Sequence, residues 1–126
     1  MSNPREILQT ERIDGGVCLP NLIDSLSRYL RVLGDPTRVR ILLFLATKER
    51  TVTEIVDSIG GPQSRISNHL ACLRWCSLVV VRRAGRQAFY SVADKAVLNL
   101  LIDTMNAITS EQRIALSSCT RIGGRP

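Results

Sequence analysis

The sequence has few of the residues from which most catalytic sites are built. Its 126 residues include one histidine and four cysteines, and aromatic residues make up 4% of the chain. No paired carboxylates fall on a plausible helix face, and no glycine-rich phosphate loop is present. These absences leave nothing from which acid–base or nucleophilic catalysis can be assembled. We therefore expect a protein that is not an enzyme.

Long hydrophobic runs are also missing. No apolar segment approaches the roughly 20 residues of a membrane-spanning helix, and the first twelve residues lack the apolar core of a signal peptide. A hydrophobic content of 44% over this length is ordinary for one soluble globular domain. The sequence predicts a cytoplasmic protein with no membrane partner, whose cysteines are reduced.

Negative charge is absent from one long segment. The net charge is +6, yet no acidic residue lies between Asp57 and Asp94. Concentrated positive charge is characteristic of phosphate-binding surfaces, although it is also found on faces that are merely solvated. We therefore expect DNA as a partner of this segment. Its arginines are Arg65, Arg74, Arg82, Arg83 and Arg86.

Periodicity and capping signals predict several helices and one hairpin. A first helix runs from Asn21 to Gly34, after a proline at position 20 that is expected to stop any earlier helix. Asp35 and a following proline begin a second helix, and Thr51 or Thr53 caps a short third one.

A fourth helix follows the turn at 60–62, and two strands, 78–81 and 87–92, flank a basic turn at 82–86. Helices at 95–108 and 110–118 complete the chain. This order predicts a mainly α fold with a β-hairpin wing (α+β), a winged helix-turn-helix. We expect a flexible arm over 1–19, the DNA-binding and dimerisation domain over 20–108, and a C-terminal helix and tail over 109–126.

The fourth helix combines three kinds of residue. Ile66, Leu70 and Leu73 recur at i, i+4 and i+7 and form one apolar face. Cys72 and Cys76 lie off that face, only about 40° apart around the helix axis. Its first two turns carry groups suited to base edges and phosphates in a major groove, namely Gln63, Ser64, Arg65, Ser67 and Asn68.

Other residues are expected to contribute to the DNA-binding surface and to the surroundings of the cysteine pair. Arg83 and Arg86 are expected to reach DNA phosphates or the minor groove from the wing. Trp75 is expected to shield the thiol pair from water. Buried cysteine often serves only as a small hydrophobe, and that interpretation stays open for the pair.

Three sequence blocks resemble the ArsR/SmtB family of winged-helix, metal-responsive repressors. They are Leu33–Leu42, Ser64–Leu70 followed by Leu73, and Leu78–Val80 with Gly85, Arg86 and Tyr90. The resemblance covers about residues 20–108. It implies a homodimer that binds operator DNA when unliganded and dissociates when its inducer binds.

Within that family the chain is most similar to the CmtR-type cadmium and lead sensors. Their ligands are two cysteines four apart on the recognition helix and a third in the C-terminal tail, which corresponds here to Cys72, Cys76 and Cys119. The Cys-Val-Cys motif of other arsenic and cadmium sensors is replaced by Arg38-Val39-Arg40. The Asp/His quartet of the zinc and cobalt sensors is also missing.

Three thiolates form a soft site that favours Cd²⁺ or Pb²⁺, with Hg²⁺ or As(III) as alternatives. Cys119 lies among polar residues and has little structural reason to be there. Cys18 is a possible fourth ligand, whereas His69 is expected to have another role.

The resemblance implies that metal links the reading helix to the dimerisation layer and so disturbs operator spacing. Apolar surface on the first and last helices is expected to pair two chains. Two alternatives remain open. One is a redox-responsive repressor with a disulfide between Cys72 and Cys119; the other is a metal-independent winged-helix regulator.

Overall fold

A computed structural model describes residues 12–13 and 17–119 as a mainly helical chain with small antiparallel sheets. Two short strands, β1 and β2, pair with each other, and three more form a sheet of order β3-β5-β4. The predicted winged helix-turn-helix is confirmed. The elements are β1 (Arg12–Ile13), β2 (Val17–Cys18), α1 (Leu19–Leu33), α2 (Pro36–Phe44), β3 (Arg50–Thr51), α3 (Val52–Ile59), α4 (Gln63–Trp75), β4 (Val79–Ala84), β5 (Gln87–Val92), α5 (Lys95–Ala107) and α6 (Ser110–Ser118).

Side-chain caps fix several helix starts where the sequence predicts them. The Asp35 carboxylate accepts a hydrogen bond from the backbone N–H of Arg38 at 3.0 Å, and Pro36 begins α2. Thr51, rather than Thr53, caps α3 and forms a reciprocal capping box with Glu54. Each cap satisfies N–H groups that have no partner inside the helix.

Two local predictions are wrong, and one strand was not predicted. Helix α1 begins at Leu19, so Pro20 lies in its first turn, where a missing N–H does no harm. Strand β3 was not predicted, because two residues give no periodic signal. The predicted turn at 82–86 is also too long, because β4 continues to Ala84 and Gly85 turns the chain with a φ of +61°.

The described residues cover the predicted domains only in part. The expected arm over 1–19 falls largely on residues 1–11 and 14–16, outside the described residues, and so does the tail beyond Cys119. The domain boundaries therefore stay predictions.

One apolar core holds α4 in place. Helix α2 packs against α1, α3, α4 and α5, and the predicted stripe of α4 is buried, with Ile66 and Leu73 fully inaccessible and Leu70 1% exposed. Full burial of such a side chain contributes about 1.5–3 kcal/mol. The core consists of Leu33, Ile41, Leu42, Leu45, Ile55, Ile66, Leu70, Leu73, Leu78, Val79, Val97, Leu98 and Leu101.

Helices α1, α5 and α6 leave large apolar side chains exposed. On α1 this surface includes Leu26 and Leu30, and on α6 it includes Ile114, which is 71% exposed. Among the described residues, none of the helices has the length and apolar character that crossing a bilayer requires. The exposed large apolar residues of these helices, with Ile108 directly after α5, are Leu22, Ile23, Leu26, Leu30, Leu100, Ile102, Met105, Ile108, Ile114 and Leu116.

Candidate DNA-binding and thiol sites

The first half of α4 presents a polar surface to solvent. Its buried Ile66 orients the helix, so the side chains around that residue point away from the core. No side chain caps this helix end, which begins after Pro62. All five predicted DNA-contacting residues of the helix are exposed: Gln63, Ser64, Arg65, Ser67 and Asn68.

The wing carries two exposed arginines that form no ion pair among the described residues. Arg83 lies in β4 opposite Ala88, and Arg86 lies in the loop. Both are exposed, and their contact with DNA phosphates stays a prediction. Because one lies on the strand and the other at the tip of the loop, their positive charges are exposed to solvent on the side away from the core.

Arg82 differs from its neighbour Arg83. Its Nε donates to Glu49 Oε2 at 3.1 Å, and its guanidinium lies 4.6 Å from the centre of the Phe89 ring. The hydrogen bond from Arg82, followed by its charge, lowers the pKa of Glu49. Arg82 therefore ties the wing to the segment before β3, and its charge is already matched.

Cys72 and Cys76 lie together at the other end of α4. Cys72 is half-buried, Cys76 is exposed, and the two lie one helical turn apart. Partial burial raises the pKa of Cys76, and the neighbouring Cys72 raises it further, whereas the charge of Arg38 acts in the opposite direction. Metal binding at the pair must therefore displace protons.

Cys119 does not join the pair within one chain. It follows the last residue of α6 and is half-buried. In the part of the chain that the structure describes, no three His, Cys, Asp or Glu side chains come together as a metal-binding group. The thiol pair alone offers two soft ligands at adjacent helix positions, which fits a thiophilic metal but leaves its ligand set incomplete. The Cys18 side chain is outside the described residues.

Two neighbours of the pair differ in their surroundings. His69 Nε2 lies 3.9 Å from Asp35 Oδ2, with only 18% of the His69 side chain exposed, so it faces the start of α2. Trp75 is 91% exposed. The expectation that Trp75 shields the thiols is wrong for the single chain.

Arg38 was not among the predicted site residues. Its Nε donates to the backbone carbonyl of Val32 at 2.7 Å, and its charge opposes the larger effects that raise the pKa of Cys76. The available sequence signal is its spacing from Ile41 and Leu42, which places an arginine on the buried side of α2.

Comparison with known proteins identifies the family. Residues 35–80 match the family described as bacterial regulatory protein, arsR family. The chain is 41% identical over 101 residues to a probable mercury resistance operon repressor of Streptomyces lividans, covering 80% of each chain. It is 38% identical over 91 residues to the transcriptional regulator CmtR of Mycobacterium tuberculosis, covering 70% of this chain and 77% of that protein.

A solved structure shares the fold. It is the homodimeric winged helix-turn-helix DNA-binding domain of a possible ArsR-family transcriptional regulator from Mycobacterium bovis. The two chains are 27% identical with a TM-score of 0.64, and the match covers 80% of this chain and 93% of the other. The chain thus belongs to the ArsR family of bacterial regulatory proteins, which are DNA-binding transcriptional regulators rather than enzymes.

Proposed function

We propose that the protein is a homodimeric repressor that binds operator DNA without metal and dissociates when a soft metal occupies its cysteines. One observation carries this proposal: α4 presents exposed DNA-type side chains at one end and two free cysteines, one helical turn apart, at the other. The similarity to a mercury resistance operon repressor supports the regulatory class.

On the DNA side, α4 enters the major groove with its first two turns. Arg65 offers a guanidinium to guanine or phosphate, and Asn68 offers an amide to adenine. Arg83 and Arg86 contact the backbone from the wing, which contributes affinity without sequence preference. The remaining base-edge and phosphate contacts come from Gln63, Ser64 and Ser67.

The dimer is proposed from the apolar surfaces of α1, α5 and α6. Residues such as Leu26 and Met105 are about half exposed in one chain, and the similar Mycobacterium bovis domain is homodimeric. Burial of apolar area stabilises association by about 25 cal/mol per Å² before entropic costs. Twofold pairing would place two α4 helices about one DNA turn, ~34–36 Å, apart.

Cys72 and Cys76 supply two thiolates, and Cys119 of the second chain supplies the third, because Cys119 lies apart from the pair within one chain. Sulfur ligands favour Cd²⁺, Pb²⁺, Hg²⁺ or As(III) over hard cations. Cys119 is expected to decide among them, because Hg²⁺ is satisfied by two thiolates more readily than Cd²⁺ or Pb²⁺. The site binds more weakly as pH falls, because protons compete for sulfur.

The test uses Cys72→Ser with Ala71→Ser as a matched control on the same helix. A DNA duplex selected with the metal-free protein is titrated by anisotropy, with and without each metal, while thiolate-to-metal absorption is followed. We expect Cys72→Ser to bind DNA normally and to lose metal-induced release, whereas Ala71→Ser keeps both. Normal release of Cys72→Ser by Cd²⁺ would place the sensing site elsewhere.

Two further arms separate the alternatives. Cys119→Ser is expected to lose the response to Cd²⁺ and Pb²⁺. Peroxide, applied without metal, should leave operator binding intact. Release by peroxide together with weak metal binding under reducing conditions would favour a thiol redox switch instead.

A further inference from the structure

Trp75 is the single tryptophan of the chain, and it lies at the end of α4 with 91% of its surface exposed. Tryptophan is highly buried on average in folded proteins. A large apolar group that is left in water often marks a surface at which another molecule binds. The described residues of one chain leave this indole uncovered, so the end of α4 is a candidate interaction surface.

Helix α6 also lacks a packing partner within one chain. All nine of its residues are exposed, and Ile114 is 71% exposed. The capping box at Thr109 satisfies N–H groups at the helix start but buries no apolar surface. Helices shorter than about 12–15 residues are marginal in water when they stand alone. Packing against another surface would therefore stabilise α6.

The surfaces at Trp75 and on α6 are complementary in shape and in charge. Ile114 and the small Ala115 are neighbours on α6 and leave room for a flat ring, and Glu111 lies one turn earlier on the same face. On α4, Arg74 adjoins Trp75. Glu111 and Arg74 are both exposed, and neither forms an ion pair with another of the described residues.

The positions of the cysteines indicate which copy of α6 lies against Trp75. Trp75 directly precedes Cys76, and α6 directly precedes Cys119. Adjacent Cα atoms are only about 3.8 Å apart, so an α6 that carries Cys119 to the thiol pair also reaches Trp75. Cys119 lies apart from the pair within one chain. The α6 that fits is therefore the one of a second copy.

We propose that α6 of a second copy packs its Ile114 face against Trp75 in the metal-free dimer and thereby brings Cys119 close to Cys72 and Cys76. This inference rests on the proposed function, which assigns Cys119 of the second chain to the pair. A twofold dimer makes the contact twice, because each chain offers both surfaces. A buried aromatic side chain removes about 150–250 Å² from water, so the contact needs no metal to form.

The fluorescence of Trp75 tests the contact, because no other tryptophan contributes to the signal. Emission wavelength and acrylamide quenching are measured on the full-length, reduced, metal-free protein, at concentrations where sedimentation shows a dimer. Wild type and Arg113→Asn, a control at the neighbouring exposed position of α6, should emit at shorter wavelength than Ile114→Asn and be quenched several-fold less. Cys119→Ser should match wild type, because the contact involves no thiol.

Mixed dimers identify the chain that supplies α6. Ile114→Asn chains are combined with an excess of Trp75→Phe chains, which have an intact α6 and no tryptophan. We expect the shielding of Trp75 to return, whereas the double variant Trp75→Phe/Ile114→Asn should not restore it. Shielding that fails to return would mean that α6 does not dock from a second copy, which overturns the inference.

The remaining results are also distinguishable. Full accessibility of Trp75 in the wild-type dimer, or equal shielding in wild type and Ile114→Asn, would overturn the inference without affecting metal-induced operator release. Equal loss of shielding in Arg113→Asn and Ile114→Asn would contradict the role of the Ile114 face. If wild type is not released by Cd²⁺, Pb²⁺ or Hg²⁺, the proposed function fails, yet the fluorescence comparison, made without metal, still decides whether α6 covers Trp75.

Discussion

The two halves of α4 differ in what surrounds them. The first half is exposed apart from Ile66, and none of its polar side chains forms an ion pair with another of the described residues. In the second half Leu70 and Leu73 are buried and Cys72 is half-buried. The first half is thus available to an external ligand, whereas the second is packed against the core.

The difference matters because one rigid element carries both halves. The buried stripe of Ile66, Leu70 and Leu73 joins them, so a displacement at the thiol pair moves the polar half as well. A packed element that two ligands bias in opposite directions is a physical basis for coupling between their sites. Substitutions that affect both halves of α4, one half or neither therefore test whether the two halves have different functions.

The largest effect is expected from Leu70→Ala, which removes a side chain from the buried stripe that connects the two halves of α4. Leu70 is 1% exposed, and removal of such a buried side chain costs about 2–5 kcal/mol of unfolding free energy. Urea denaturation measures the loss. The exposed neighbour Ser67→Ala should change stability by no more than about 0.5 kcal/mol. Equal stability of the two variants would contradict the packing of α4.

Arg65→Ala should affect the function of the first half of α4 and leave that of the second half unchanged. We expect operator affinity to fall by about 1–3 kcal/mol if Arg65 contacts a guanine, while Cd²⁺ binding by thiolate absorption stays unchanged. Arg113→Ala, which removes an exposed arginine from α6, serves as the control. Equal losses of operator affinity in the two variants would mean that Arg65 acts only through net charge.

A smaller effect is expected in the wing, where two adjacent arginines should behave differently. Arg83→Ala should weaken binding to all sequences alike and reduce the slope of log affinity against log salt by about 1, the value for one phosphate contact. The double variant Arg82→Gln/Glu49→Gln removes a matched pair and should leave the slope unchanged. Equal slopes for Arg83→Ala and wild type would remove Arg83 from the interface.

Local features of this fold were predictable from sequence. The Asp35 cap, the stripe of Ile66 and Leu70, and the start of α5 after Asp94 each depend on residues within one or two turns. Contacts between residues distant in the sequence were not predictable. Glu49 and Arg82, for example, are 33 positions apart and give no common periodic signal.

The candidate site was likewise predictable only where its residues lie close together in the sequence. The proximity of Cys72 and Cys76 follows from helix geometry, because Cys72 lies in the last turn of α4 and Cys76 directly after it. The hydrogen bond from Arg38 to the carbonyl of Val32 joins α2 to α1, and no periodic signal in the sequence predicts it. Whether Cys119 reaches the pair depends on chain pairing, for which neither spacing nor the fold of one chain provides the geometry.

The smallest effect is expected from Glu49→Gln, which tests whether Arg82 is held by the fold rather than available to DNA. Arg82 lowers the pKa of Glu49 in the folded chain, so this pair contributes stability above the ordinary glutamate pKa of about 4.3. That contribution is lost as pH falls through the lower folded pKa. Wild type should therefore melt slightly above Glu49→Gln at about pH 7 and at the same temperature near pH 3. A difference that persists in acid would mean that Glu49 stabilises the wing by packing rather than through its charge.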